Sequence, residues 1–514
     1  MHTNRLPLLF TLYLSLFTCK AHAQLTKDLS TLDAYIQKGM ADWQIPGLAV
    51  VVVKDGKVVV QKGYGTKTMG KADPVDADTR FFIASNSKLF TGMALSLAQQ
   101  EGKLNLNDPV AKYLPGYQLY DETSTKLVTL RDLLAHRIGT ETFQGDLTFW
   151  NSTLTSAQIV DKMRLLKPSK VFRQDYGYCN SCYLTAGLAL EKATGVSWAQ
   201  TITSRFIEPI GMVRTQALSN NLAQMDNVAR PYTTSYSGQL KEIPYDQWDN
   251  LAPAASVVSC VSDLAKWLQF QLDSGRVAGK QIVPFAVLQR TRDVNIINSS
   301  RKSVAFPTHF RGYGLGLSSA DYNGRQIYWH TGGAGGMVSG VCFVPEERLG
   351  IAILTNNDNQ AFFEALRYQL LDAYLGVNGG DRSQLFLKGS QAEMKTQLDS
   401  IATWRIAAAA GAKNTQNHSV LASLAGTYRN PVYGTINLAP MPKSKSQLQV
   451  RFEHHPNLIA TLTPIGQGNY LLEYNNIGYG VFKTQLTPGQ GQAKTFLLKV
   501  NDFVEMEPYL FVGE

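Results

Sequence analysis

The sequence predicts an α/β domain followed by a small β-rich domain, and two changes of pattern along the 514-residue chain indicate this division. Short strands near the start and again from about residue 312 enclose a helical middle. We therefore expect one sheet assembled from both ends of the first domain. Beyond Ser419 the chain alternates short apolar runs with turn residues, which is typical of a small antiparallel barrel or sandwich. The length also exceeds what a single hydrophobic core usually supports.

The first residues have the pattern of a secretory signal peptide. Arg5 supplies a positive charge, Leu6–Phe17 is an apolar run of suitable length, and small residues ending at Ala23 form a cleavage site. We therefore expect an exported protein, periplasmic or secreted, whose mature chain begins at Gln24. The alternative is a lipoprotein anchored through Cys19, which fits the residues just before that cysteine poorly.

The elements of the first domain follow from apolar spacing and turn residues. A helix is expected over Leu29–Trp43, and two strands around Asp55-Gly56 form a hairpin. Helices are expected after Ser85 and in VTLRDLLAHRIG, SCYLTAGLALEKATG, SCVSDLAKWLQFQLDSG and AFFEALRYQLLDAYLG, and strands in YGLGLSS, RQIYWHTGG and SGVCFVPEERLGIAILTN. The predicted boundaries are 1–23 for the signal peptide, 24–387 for the α/β domain, 388–418 for a linker containing a helix, and 419–514 for the β-rich domain.

The charge and the cysteine content of the chain indicate which partners, disulfides and metal sites are expected. The formal net charge is +9 with no dense basic run, which does not indicate nucleic acid but allows association with the cell envelope. Four cysteines lie beyond the signal segment, and they permit either disulfides of three connectivities or buried thiols. These cysteines are Cys179, Cys182, Cys260 and Cys342. The CxxC pair has no second half, so neither a metal nor a cofactor is predicted.

The Ser-x-x-Lys motif occurs twice, at Ser85/Lys88 and at Ser299/Lys302. Average residue usage gives roughly two such matches in a chain of this length, so the motif alone carries little information. Context separates the two matches, because Ser85 opens a segment of helical apolar spacing whereas Ser299 lies in a polar stretch.

A serine and a lysine three residues apart at a helix start lie on one face, so the Lys88 amine can reach the Ser85 hydroxyl. Serine becomes a nucleophile when a neighbouring base removes its proton, and a partly desolvated lysine can do so. The alternative is an ordinary helix cap, in which Ser85 bonds a backbone N–H and Lys88 is solvated.

Two later segments favour the catalytic interpretation. Tyr178 and Asn180 form a Tyr-x-Asn element, and His330-Thr331-Gly332 is a triplet found once in the chain. In this order the motifs resemble those of the serine β-lactamase and penicillin-binding protein superfamily. The Tyr-x-Asn element is similar to that of the class C β-lactamase and DD-peptidase-like branch, of peptidase S12 type. The resemblance covers roughly residues 30–380, and the C-terminal segment resembles a β-rich accessory domain of exported members.

The resemblance implies an antiparallel sheet flanked by helices, a helical subdomain and a serine hydrolase mechanism. Ser85 would become an acyl-enzyme, and Lys88 and Tyr178 would share proton transfer, with either one as the base for acylation. A tyrosine base needs nearby cations, which Lys88 and a protonated His330 would supply. Asn180 would orient Lys88 and the substrate amide.

The resemblance also implies which residues bind the substrate. They are Asn180, His330, Thr331, Gly332 and Gly333. Backbone N–H groups of Ser85 and Gly333 would form the oxyanion hole.

One departure from the family pattern bears on the substrate. His330 stands where β-lactamases of this superfamily usually have lysine, and histidine is a cation only part of the time near neutral pH. We therefore expect peptides containing D-amino acids, or small esters, in preference to β-lactams. A β-lactamase is one alternative, and a penicillin sensor that acylates without turnover is another. For the C-terminal domain, ligand binding, cover of the active-site mouth and assembly stay open, as does the oligomeric state.

Overall fold

The computed structural model describes residues 19–442, 444–487 and 493–514. Most of the predicted signal peptide, residues 1–18, lies outside the described residues, so export and cleavage after Ala23 stay predictions. The first described element is the helix Cys19–Asp42. Among the described residues, no helix combines the length and apolar character needed to cross a membrane.

An eight-stranded antiparallel sheet forms the centre of the first domain. In spatial order its strands are Lys57–Gly65, Gly47–Lys54, Leu349–Thr355, Met337–Val344, Arg325–Ala334, Ser318–Tyr322, Arg311–Tyr313 and Ile296–Ser299. The predicted hairpin is confirmed, with Asp55 and Gly56 at φ of 52° and 79°. Leu48 pairs with Thr355, which confirms a sheet built from both ends of the domain.

The sheet is buried on both faces, because alternate residues of Gly47–Lys54 enter two different cores. Leu48, Val50 and Val52 pack in a core with the helix Phe362–Leu375. Ala49, Val51 and Val53 enter the larger core on the other face. There the helix Val261–Leu272 lies against the same strands. The first domain is therefore a three-layer α/β structure.

A helical subdomain surrounds the helix Ser87–Gln100, which is buried over nearly its whole length. Burial on all sides explains why its apolar residues do not form a single stripe. The further helices are Glu122–Leu127, Leu130–Leu134, Ser156–Lys162, Asn180–Thr194, Trp198–Ile202, Glu208–Ile210, Ala252–Ala255 and Phe285–Arg292. Short two-stranded sheets pair Phe81–Phe82 with Val258–Ser259, Tyr232–Thr233 with Lys241–Glu242, and Arg276–Val277 with Lys280–Gln281.

The C-terminal domain is a closed barrel of eight strands, and the fold class predicted for it is confirmed. The strands are Gly426–Asn430, Gly434–Met441, Ser444–Phe452, His455–Gly466, Asn469–Tyr474, Val481–Thr487, Thr495–Leu498 and Tyr509–Gly513. The helix predicted in the linker is the 30-residue Arg382–Gly411, which packs along His455–Gly466. A shorter helix, Asn417–Leu424, precedes the first strand.

The four cysteines beyond the predicted signal segment are buried free thiols, so the structure has thiols and not disulfides at these positions. Within the described part of the chain, no group of three or more His, Cys, Asp or Glu side chains is arranged to hold a metal ion.

Candidate active site

The segment carrying Ser85 is held between the main sheet and the helical subdomain. Phe81–Phe82 pairs with Val258–Ser259, and Ala84–Asn86 then forms one turn of 3₁₀ helix ahead of Ser87–Gln100. Ala84 has a φ of 47°, a backbone conformation that is costly for alanine and is often found beside functional residues. Ser85 thus lies one turn before the α-helix, and Asn86 at the N-cap makes no side-chain capping bond.

Lys88 is fully buried and has three partners. Its Nζ lies 3.0 Å from Ser85 Oγ, 2.7 Å from Asn180 Oδ1 and 3.0 Å from the carbonyl oxygen of Ala254. Burial lowers the pKa of Lys88 to about 7, although Asp146 and two nearby thiols act in the opposite direction. The side chain is therefore close to equal populations of amine and ammonium near neutral pH.

Tyr178 completes the contacts of the serine hydroxyl. Its side chain lies close enough to that of Ser85 to influence its pKa, and its ring lies 4.7 Å from Lys88 Nζ. Burial raises the pKa of Tyr178 well above its usual value, and this effect outweighs that of the nearby Ser85 side chain, which lowers it. Tyr178 therefore keeps its proton near neutral pH.

The side-chain oxygen of Asn180 binds Lys88 and orients it, as expected. The side-chain nitrogen of Asn180 is hydrogen-bonded to a residue that the sequence did not suggest. Asn180 Nδ2 donates to Asp146 Oδ2 at 2.6 Å, which fixes Oδ1 toward Lys88. Asp146 is buried, and burial raises its pKa well above the usual range. The expected role of Asn180 toward the substrate amide therefore competes with a bond inside the protein.

The strand Arg325–Ala334 places the third motif opposite Ser85. Thr331 and Gly333 line the same cavity as Ser85 and Tyr178. A glycine is required at position 332 for a steric reason, because a Cβ at Gly332 would lie 2.0 Å from the carbonyl oxygen of Ile83. Only glycine lets this strand approach the segment that precedes the serine so closely.

His330 is not the second cation near Tyr178 that the sequence analysis considered. Burial and the nearby Lys88 lower the pKa of His330 to about 3, so the ring is neutral near neutral pH. Its Nδ1 donates to the Thr331 carbonyl oxygen at 2.6 Å, and its Nε2 accepts from the Tyr313 hydroxyl at 2.9 Å. The physical reason for this correction is the depth of the site, which excludes the water that would solvate an imidazolium.

Sequence reasoning missed His136 and Tyr313. His136 lies in LRDLLAHRIG with a φ of 55°, and its Nδ1 accepts from the Cys179 N–H at 3.0 Å. Its ring centroid is 4.3 Å from that of Tyr178 and 4.9 Å from that of Tyr313. His136 therefore holds both tyrosines in place. His136 lies within the segment that the sequence predicted to be a helix, but the helix ends at Leu134, so the sequence did not show that His136 would face the site.

The cavity in front of Ser85 has a volume of about 280 Å³ and an aromatic wall. Its lining includes the aromatic residues Phe143, Phe149, Trp150, Tyr176, Tyr178, Trp248, Tyr313 and Phe503. Phe503 belongs to the C-terminal domain, so both domains form the cavity. A small and largely apolar enclosure with a few convergent polar groups is typical of a small-molecule site.

A serine hydroxyl in contact with a buried lysine and beside a half-buried tyrosine, at the edge of an antiparallel sheet flanked by helices, defines the class of serine β-lactamases and penicillin-binding proteins. The family described as Beta-lactamase matches residues 32–375, more than half of the chain. The chain belongs to this family, which confirms the resemblance inferred from the motifs.

Similar proteins agree with this assignment. Protein flp of Staphylococcus aureus (strain MRSA252) is 25% identical over 336 residues, which is 64% of this chain and 63% of the relative. Unguisins hydrolase ungD' of Aspergillus campestris is 29% identical over 371 residues, covering 66% of this chain and 64% of the relative. The chain thus matches less than two thirds of the length of these relatives.

A solved structure supports the fold over nearly the whole chain. The octameric penicillin-binding protein homologue from Pyrococcus abyssi superimposes with a TM-score of 0.60 and 21% identity, covering 94% of this chain and 100% of that one. The shared fold therefore extends beyond the family domain into the C-terminal region.

Proposed function

We propose that the protein is a serine hydrolase that forms an acyl-enzyme at Ser85 and acts on amide or ester bonds. The observation that carries this proposal is the set of partners around Lys88 Nζ. Two of them, Asn180 Oδ1 and the Ala254 carbonyl, are pure acceptors. They occupy the two N–H groups of a neutral amine, which directs its lone pair at the Ser85 hydroxyl, the one partner that can donate.

These contacts favour Lys88 as the base for acylation. Lys88 Nζ takes the Ser85 proton as Oγ attacks the carbonyl carbon, and the carbonyl π electrons move onto the oxygen. Tyr178 keeps its own proton near neutral pH and can give it to the leaving group when the scissile bond breaks, after which the Lys88 ammonium gives the proton it took from Ser85 to the Tyr178 phenolate. Water then enters, and the same pair deacylates the serine.

The oxyanion hole is proposed from the backbone N–H groups of Ser85 and Gly333, whose residues line one cavity. Loss of one such donor typically costs about 2.7–4 kcal/mol of transition-state stabilisation. The neutral His330 offers no permanent charge to a β-lactam carboxylate. This favours amides of D-amino acids and small esters as substrates. One relative is named as a hydrolase, which supports turnover over a sensor role.

Covalent labelling tests the nucleophile. A fluorophosphonate probe is expected to modify Ser85, located by peptide mass spectrometry, and Ser85→Ala is expected to abolish the label. Ser299→Ala is the matched control, since Ser299 belongs to the other Ser-x-x-Lys match and lies at the end of the strand Ile296–Ser299. Label on another residue, or undiminished label in Ser85→Ala, would contradict the proposal.

A substrate panel tests the reaction. We expect steady turnover of p-nitrophenyl acetate and of a D-alanine p-nitroanilide, and slower turnover of a chromogenic cephalosporin. A burst of one equivalent with no further turnover would instead identify a sensor. Faster turnover of the cephalosporin than of both other substrates would identify a β-lactamase.

A further inference from the structure

The C-terminal domain contributes a segment to the cavity in front of Ser85. Residues 499–508 connect the barrel strands Thr495–Leu498 and Tyr509–Gly513. Within this connection, Phe503 lines the cavity together with residues of the first domain. Its ring centroid lies 5.8 Å from that of Trp150 in an edge-on arrangement. The barrel therefore supplies part of the cavity wall.

The position of the Phe503 ring depends on the absence of a side chain at Gly333. A Cβ added at Gly333 would lie 2.3 Å from the ring's Cζ atom, so the ring packs directly on the backbone of this residue. Gly333 is also a proposed oxyanion donor. Phe503 thus packs against the residue whose backbone N–H is proposed to bind the substrate carbonyl.

A buried carboxyl group holds this segment in place. Glu505 accepts from the backbone N–H of Gly145 at 2.9 Å and from that of Leu147 at 3.4 Å. The hydroxyls of Tyr433 and Tyr509 donate to the same carboxyl group at 2.5 Å and 2.9 Å. Four donors on one buried side chain give a defined geometry rather than a loose surface contact.

Further bonds join the barrel to the same stretch of the first domain. His455 Nε2 donates to the Leu147 carbonyl oxygen at 3.0 Å, and Thr153 N–H donates to the His454 carbonyl oxygen at 2.9 Å. Tyr479 donates to the Trp150 carbonyl oxygen at 3.2 Å. The wall residue Phe503 is therefore carried on a firmly attached element.

We propose that Phe503 is a specificity-determining residue that limits the size of the acyl group. The inference rests on the proposed acyl transfer at Ser85. The leaving group departs after acylation, whereas the acyl group stays bound to Ser85 inside the cavity of about 280 Å³. The side chains of the cavity wall therefore contact the acyl group. Phe503 favours short acyl groups and excludes those with a bulky substituent near the carbonyl.

The test uses a substrate whose extra volume matches the volume removed from the protein. Phe503→Ala removes a phenyl ring, and phenylacetate adds one to acetate. The ratio of kcat/KM for p-nitrophenyl phenylacetate to that for p-nitrophenyl acetate is expected to rise at least about tenfold in Phe503→Ala. The common leaving group confines the comparison to the acyl side.

Three controls accompany this variant. Phe503→Tyr keeps the ring and is expected to keep the wild-type ratio. Met506→Ala changes an exposed side chain of the same segment and is expected to leave the ratio unchanged. The rate at which a small fluorophosphonate labels Ser85 is measured in every variant, so that a change in the reactivity of Ser85 is separated from a change in the ester ratio.

The outcomes separate this inference from the proposed function. A folded Phe503→Ala protein with an unchanged ratio overturns the role of Phe503 alone. A parallel loss of both esters and of labelling also overturns it, since that pattern indicates a structural role. If Phe503→Ala unfolds, Phe503→Leu provides the test, with a rise of about threefold expected and an unchanged ratio contradicting the inference. Absence of labelling and turnover in the wild-type protein would contradict the proposed function itself.

Discussion

At the scale of single residues, the chemistry of Lys88 is decided by two opposing effects. Burial disfavours the ammonium and lowers the pKa to about 7, while Asp146 and the thiols of Cys179 and Cys182 favour the charged form. Desolvation also acts on Tyr178, and it raises the pKa there because the charged form of tyrosine is the anion. The site therefore increases the fraction of neutral lysine near neutral pH and decreases the fraction of tyrosinate.

This difference predicts the pH dependence of acylation. The neutral form of Lys88 has to be present, so kcat/KM for p-nitrophenyl acetate is expected to rise about tenfold per unit below pH 7 and to level off above it. His330 does not contribute a second step there, since its pKa lies at about 3. Stopped-flow measurement from pH 5 to 9, with Ser85→Ala as the background, checks this. A flat profile, or one that falls through pH 7, would rule out Lys88 as the base.

At the scale of elements, the packing of the strand Arg325–Ala334 against the segment before Ser85 depends on close contact between their backbones. Gly332 meets the Ile83 carbonyl oxygen in a position that a methyl group cannot share. The sequence showed a run of glycines after His330, and we expected backbone to come close to the substrate. The structure shows that Gly332 instead serves contact between two parts of the protein.

Two glycine-to-alanine substitutions distinguish the steric effect at Gly332 from the general effect of replacing a glycine. Gly332→Ala is expected to lower the free energy of unfolding by about 3 kcal/mol or more, because backbone atoms cannot move aside cheaply. Gly389→Ala is the control, since Gly389 is exposed in the helix Arg382–Gly411 with open space around its Cα. It is expected to raise stability by about 0.5–1 kcal/mol. Urea denaturation measures both, and a Gly332→Ala protein as stable as wild type would contradict the steric argument.

At the scale of the whole molecule, Glu505 joins the barrel to the loop that carries Asp146. Burial raises the pKa of Glu505 to about 7, although its hydrogen bonds to Gly145, Tyr433 and Tyr509 favour the ionised form. The folded state thus retains a proton that the unfolded chain releases near pH 4.5. Stability from this group is present at low pH and is lost as the pH rises from about 4.5 to about 7.

Glu505→Gln tests this contribution. The wild-type protein is expected to lose on the order of 2 kcal/mol more than the variant between pH 4.5 and 7, because glutamine does not titrate. Thermal or urea unfolding at several pH values measures the difference. Glu507→Gln, an exposed neighbour, is the control and is expected to follow the wild-type curve. Identical pH dependence in the wild-type protein and Glu505→Gln would exclude this role.

Much of the fold followed from local patterns. The Asp55-Gly56 hairpin, the helices and strands of the first domain and the β-rich C-terminal region depend on periodicity and turn chemistry, which a single sequence carries. The sequence did not decide between a barrel and a sandwich for the C-terminal strands, because both folds have the same strand pattern. The linker helix was expected, but its packing against the barrel was not.

The sequence by itself determined the fold class, the family and the set of motifs that meet at Ser85, since these are properties of order and spacing along the chain. Only the tertiary structure decided which groups surround them. Asp146, His136 and Phe503 come from segments that are distant from Ser85 along the chain and belong to none of the three motifs. The neutral state of His330 and the lowered pKa of Lys88 likewise arise from burial, which is the sum of contacts from many parts of the chain.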